Sequence, residues 1–87
     1  MKISKKKIQA LIINYLTKEA KKKKISKNLK LNKIDFIDKG IIDSLGFLNL
    51  ISHLEKNLKI EIDLSNENPD NLSKVYNLTN IIYKKNL

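Results

Sequence analysis

The chain has no cysteine and no arginine, one proline, two glycines and one histidine in 87 residues. Without cysteine it can form no disulfide, no thiolate metal site and no thiol nucleophile. That agrees with a reducing compartment, and a cytoplasmic location is expected. No apolar run approaches the roughly 20 residues of a membrane span. The basic, moderately apolar residues 1–16 are interrupted by Gln9 and Asn14 and no small-residue cleavage site follows, so a signal peptide is not expected. Gly-rich phosphate cradles, Gly/Ser- or Pro-rich linkers and internal repeats are also missing. The expectation is one free-standing domain over residues 1–87, with a modest core, since a chain this short buries only about 60–65% of its unfolded surface.

What is present is lysine, unevenly placed. The first 34 residues hold twelve Lys against Glu19 alone, whereas from Asp35 onward six Lys meet eight acids. The formal net charge of +9 therefore belongs to the first third of the chain. Lys, Ile and Asn dominate throughout, and their adenine- and thymine-rich codons account for part of this bias.

The apolar spacing is helical. Ser4 can cap a first helix in which Ile8, Leu11, Ile12, Tyr15 and Leu16 form one stripe. Lys5, Lys6 and Lys7 oppose the helix dipole at its start, and residues 21–24, all Lys, suit its end. Residues 25–43 read as a long loop whose Leu29, Leu31, Ile34, Phe36 and Ile41 tuck onto the core, with Gly40 supplying a turn. A second helix is expected over residues 44–57, with Phe47, Leu50, Ile51, Leu54 and Leu58 on one face. Asp43 or Ser44 would cap it, and either residue type suits that position. Leu45 and Leu48 fall off the core stripe, beside Ser44. Ile60 and Ile62 belong to an extended loop. Asn68 followed by Pro69 predicts a one-turn third helix. Ser73 is expected to cap a last helix with Val75, Leu78, Ile81 and Ile82 inward and Tyr76 and Tyr83 at its edges. The fold class is all-α, a four-helix bundle with a long first loop and a short third helix.

No catalytic constellation is legible. Ser44 and His53 lie nine residues apart on one helix, about 13 Å of rise, too far to act as nucleophile and base. Asp35, Asp38 and Asp43 lack the alternate acidic spacing and central Gly of a calcium loop. Glu61, Asp63, Glu67 and Asp70 read as a solvated acidic loop. No enzyme activity and no metal are expected.

The run Asp38-Lys39-Gly40-Ile41-Ile42-Asp43-Ser44-Leu45-Gly46, followed one helix later by Ile60-Glu61-Ile62, resembles the attachment region of acyl and peptidyl carrier proteins. The resemblance extends over about residues 34–82. It implies an acyl-carrier type of bundle, with a 4'-phosphopantetheine arm attached to Ser44 by a phosphopantetheinyl transferase. It also implies that Asp43 orients that transfer and that Leu45 and Leu48 are docking contacts. On this resemblance the chain holds acyl or aminoacyl intermediates as thioesters. The setting would be a specialised pathway or synthesis of the fatty acid or polyketide type, with acyl- or aminoacyl-loading and acyl-processing enzymes as partners and the chain as a monomer. One departure stands out: family members of the fatty-acid branch carry several carboxylates along the second helix, and here Glu55 stands alone. Gly46, in the first turn, is costly there and suggests close approach of a partner or the arm. The alternative is a small basic nucleic-acid-binding protein, or a helical interaction protein whose Ser44 is never modified. The Lys clusters favour nucleic acid, the lack of Arg for base contacts weighs against it, and no nucleic acid is expected.

Overall fold

The computed structural model describes residues 3–25, 30–31 and 33–86. Leu29, expected on the core, lies outside them. Among the described residues there are three α-helices, α1 (Lys5–Lys22), α2 (Ser44–Leu58) and α3 (Val75–Lys85), with a 3-10 turn at Pro69–Asn71. The expected short third helix is this single 3-10 turn, so the described chain is a small α-helical bundle rather than four α-helices. No described helix is long and apolar enough to cross a membrane.

The helices begin where the chain supplies acceptors for orphan N–H groups. Ser4 Oγ accepts from Lys7 N at 3.0 Å and starts α1. Asn68 caps the 3-10 turn, its Oδ1 accepting from Asp70 N at 3.0 Å, with Pro69 in the first position. α3 departs from expectation. Its N-cap is Lys74, with no side-chain cap bond. Ser73 is buried one residue earlier, and its hydroxyl is committed to a residue far back in sequence, described below. Lys24 and Lys59 end α1 and α2 in the left-handed region, both at φ 56°.

α1 runs antiparallel to both partners. Lys5 stands over the Tyr83 ring near the end of α3, and the Tyr15 and His53 rings lie 5.4 Å apart between α1 and α2. Ile8, Ile12 and Leu16 of α1 meet Leu50, Ile51 and Leu54 of α2 and Val75, Leu78 and Ile82 of α3 in one core. Ile81, expected inward, is only half-buried. The inter-helix segment adds Phe36, Ile41 and Ile42, all buried, while Leu31, Ile34, Ile60 and Ile62 pack at the margin. Each such side chain contributes about 1.5–3 kcal/mol on burial. Phe36, Ile41 and Ile42 therefore make the turn just before α2 part of the core.

Candidate functional site

Ser44 is the first residue of α2 and is exposed. Its position follows from the residues on either side. Upstream, the Phe36 carbonyl accepts from both Ile41 N (3.0 Å) and Ile42 N (3.3 Å), folding the chain back over the two buried isoleucines. Gly40 makes that reversal at φ +76°, with nothing near its missing Cβ; the need is conformational. Lys23 Nζ donates to the Ile41 carbonyl at 2.7 Å, tying the end of α1 to the same turn.

Asp43, not Ser44, is the cap. Its backbone is extended and its Oδ1 accepts from Gly46 N at 2.7 Å, while its carbonyl accepts from Phe47 N at 2.8 Å. Because Asp43 does this work, the Ser44 hydroxyl is not drawn into capping, and among the described residues it has no hydrogen-bond partner. The first-turn N–H groups of Ser44 and Leu45 have no carbonyl earlier in the helix to bond, and the helix dipole places partial positive charge beside Ser44 Oγ.

Gly46 has a local explanation. A Cβ there would stand 2.9 Å from Ile42 Cβ and 3.3 Å from Asp43 Oδ1. The glycine lets the capped first turn close over buried Ile42, a reason independent of any partner's approach.

An apolar groove of ≈ 290 Å³ opens beside Ser44, lined by Ile37, Ser44, Phe47, Leu48, Pro69 and Leu72. Phe47, expected in the core, is half-buried and stacked on buried Phe36, with ring centroids 6.3 Å apart and 17° between planes. Pro69 and Leu72 come from the 3-10 turn, which supplies the opposite wall. Leu45 (67% exposed) and Leu48 (62%) stand out from α2 beside the serine, with Ile37 nearby at 36%. Serine hydroxyl, exposed leucines and groove thus share one end of the bundle.

Asp35 is the residue that reading the sequence missed. Its Oδ1 accepts from Ile37 N (3.1 Å) and Asp38 N (2.9 Å), and its Oδ2 accepts from the Ser73 hydroxyl at 2.7 Å. Phe36 N donates to the Ser73 carbonyl at 2.8 Å, and Asp35 and Lys74 form an isolated antiparallel bridge. The Asp38 N–H above all holds the Asp35 carboxyl below the usual carboxylate range, with Ser73, Ile37 and Lys74 adding to it and burial opposing. This clamp joins the loop before Ser44 to the start of α3. Nothing local in the sequence announces a contact across 38 positions.

The other acids do not converge. Among the described residues no group of three His, Asp or Glu could hold a metal ion. Glu55 Oε2 accepts from Ile62 N at 2.8 Å and fixes the extended segment after α2. His53 is half-buried against Tyr15, away from Ser44.

No protein-family model, no curated protein and no solved structure matches the chain.

Proposed function

We propose that the protein is a carrier whose Ser44 hydroxyl takes a 4'-phosphopantetheine arm, with the 3-10 turn serving as the short third helix of an acyl-carrier type of bundle. The observation that carries this reading is the state of Ser44: exposed at the first turn of α2, relieved of capping by Asp43, and next to an apolar groove. The residues fit the group. A phosphate on Ser44 Oγ would meet the positive end of the α2 dipole and the free first-turn N–H groups, a setting that favours an anion.

When bound, the arm supplies a terminal thiol on which an acyl or aminoacyl group is held as a thioester, a function the cysteine-free chain cannot provide. The chain's own part is to present the nucleophile. Ser44 Oγ forms a bond to phosphorus of the coenzyme A pyrophosphate, the bond to the nucleotide half breaks, and the serine proton passes to a base on the transferase. Asp43 keeps the first turn wound so that the hydroxyl stays outward. Leu45 and Leu48 offer the transferase and the loading and processing enzymes an apolar docking edge, with no line of carboxylates along α2. The groove beside Ser44 has almost entirely apolar walls, which favours an acyl cargo over a charged aminoacyl one. The proposed working state is a cytoplasmic monomer with no catalytic activity of its own, in a specialised pathway or in synthesis of the fatty acid or polyketide type.

The experiment is attachment itself: incubation with coenzyme A and a broad-specificity phosphopantetheinyl transferase, followed by intact mass, with Ser44→Ala alongside. Undiminished nucleic-acid binding by Ser44→Ala, without any attachment to the wild type, would favour the basic-protein alternative.

A further inference from the structure

The buried stripe of α1, Ile8, Ile12 and Leu16, faces the core it shares with α2 and α3. The opposite side of α1 therefore points away from both helices. Along it run Lys7, Ala10, Asn14, Lys18 and Lys21, spaced three, four, four and three residues apart, with Lys6 beside them, and all six are exposed. From Lys7 to Lys21 this line rises about 21 Å. Glu19 is the one acid of α1, and it stands off the line. It follows buried Leu16 by three residues, on the core side, is 22% exposed and pairs with Lys22 at 3.5 Å.

Neither composition nor helix stability accounts for this line. A bias toward lysine codons would spread the residue evenly, yet α1 holds six Lys in 18 residues and α2 one in 15. The arrangement also weakens the helix. Lys6 and Lys7 sit at the positive end of the dipole with no acid in the first turn, and Lys18 repels Lys21 and Lys22 across one turn. The face lacks what other partners require. Its six residues include no arginine, no aromatic and no large apolar side chain, the groups that anchor protein interfaces, read base edges and stack on unpaired bases. It offers hydrated point charges along a straight line, with small neutral residues between them. A flat layer of mobile anionic headgroups satisfies such charges at any spacing, whereas a convex duplex meets a straight line only where the two cross.

We infer that the outer face of α1 is a docking surface for an anionic phospholipid membrane. The lysines reach the headgroup layer, and Ala10 and Asn14 let the helix lie flat on it. Attachment is electrostatic, with no insertion of the helix. The bundle rests side-on, with α1 between the surface and the other two helices. No residue of this face takes part in arm attachment, so the inference holds whether or not Ser44 is modified.

The test is co-sedimentation of the full chain with phosphatidylcholine vesicles, with and without phosphatidylserine. Binding is expected to the phosphatidylserine vesicles only, weakened about fivefold by each of Lys7→Gln, Lys18→Gln and Lys21→Gln. It should vanish near 1 M salt, where the Debye length falls to about 3 Å. Replacing Lys6, Lys7, Lys18 and Lys21 together by Gln should weaken it by more than about a hundredfold. The charge-matched replacement of Lys33, Lys39, Lys56 and Lys84, off this face, should weaken it by less than about tenfold. All eight lysines are exposed, so both variants should keep the wild-type urea midpoint. Because the chain has no cysteine, Ala10→Cys and Ser52→Cys each accept a single environment-sensitive fluorophore. Vesicles should shift the emission of the label on the α1 face and leave the label on α2 unchanged. No binding to the phosphatidylserine vesicles, equal losses in the two fourfold variants, or a shift of the α2 label alone would overturn the inference. Tighter binding to duplex DNA than to the vesicles at the same ionic strength would also overturn it and assign the face to nucleic acid.

Discussion

The Ser73 hydroxyl donates to Asp35 Oδ2 at 2.7 Å, joining the loop before α2 to the residue that precedes the α3 cap. Asp35 also receives two backbone N–H groups, so one carboxylate organises the turn over Phe36 and the approach to α3. Replacing it leaves a buried serine and two amides without their acceptor. Ser73→Ala and Asp35→Ala are each expected to lower stability by about 1–3 kcal/mol, read from urea unfolding. The two losses should fall short of additive in the double variant, because both remove one contact.

Acid should reproduce the Asp35 change. A carboxyl whose folded pKa is depressed contributes stability above its unfolded value, near 3.9, and loses it as pH falls through the folded value. Wild type is therefore expected to lose stability below about pH 4 more steeply than Asp35→Asn. The gap between their urea midpoints at pH 7 should narrow by pH 3; a constant gap would remove Asp35 from this role.

Gly46→Ala tests the packing of the capped turn. In an open helix this change gains up to ~1 kcal/mol. Here the new Cβ would sit 2.9 Å from Ile42 Cβ, so a loss of roughly 1–3 kcal/mol is expected instead, from thermal or urea unfolding.

Capping and any part in arm attachment are separable at Asp43. Asp43→Ala should cost about 1 kcal/mol through the lost cap, while Asp43→Asn retains an oxygen for Gly46 N and stays within a few tenths of wild type. If Asp43 also orients the transferase reaction, Asp43→Asn should slow arm attachment without a matching loss of stability.

The helices were legible in the sequence because their determinants are local. The i, i+3, i+4, i+7 run from Phe47 placed α2 to within one residue of its observed end at Leu58, and Ser4 and Asn68 announced their caps. Ile42 went unnoticed beside Ile41 because neither sits in a periodic stretch, yet both are buried by the reversal at Gly40. Ser73 looked like a cap because serine favours that position, and a partner 38 residues away took its hydroxyl instead. The choice between Asp43 and Ser44 as cap required side-chain geometry. The serine, the two leucines and their helix register were readable. The groove was not, since its far wall comes from Pro69 and Leu72.

Leu45 and Leu48 are exposed, so their loss should leave folding intact. Leu45→Asp and Leu48→Asp are each expected to change stability by less than about 0.5 kcal/mol. Each should lower the efficiency of arm attachment by about tenfold, equivalent to ~1.4 kcal/mol of lost docking.

The most direct measurement is the intact mass of the chain after incubation with coenzyme A and several phosphopantetheinyl transferases, with Ser44→Ala treated identically. The account predicts the gain of one arm by the wild type, none by Ser44→Ala, and a modified peptide that maps to Ser44. No gain with any of the transferases, or an equal gain by Ser44→Ala, would contradict it.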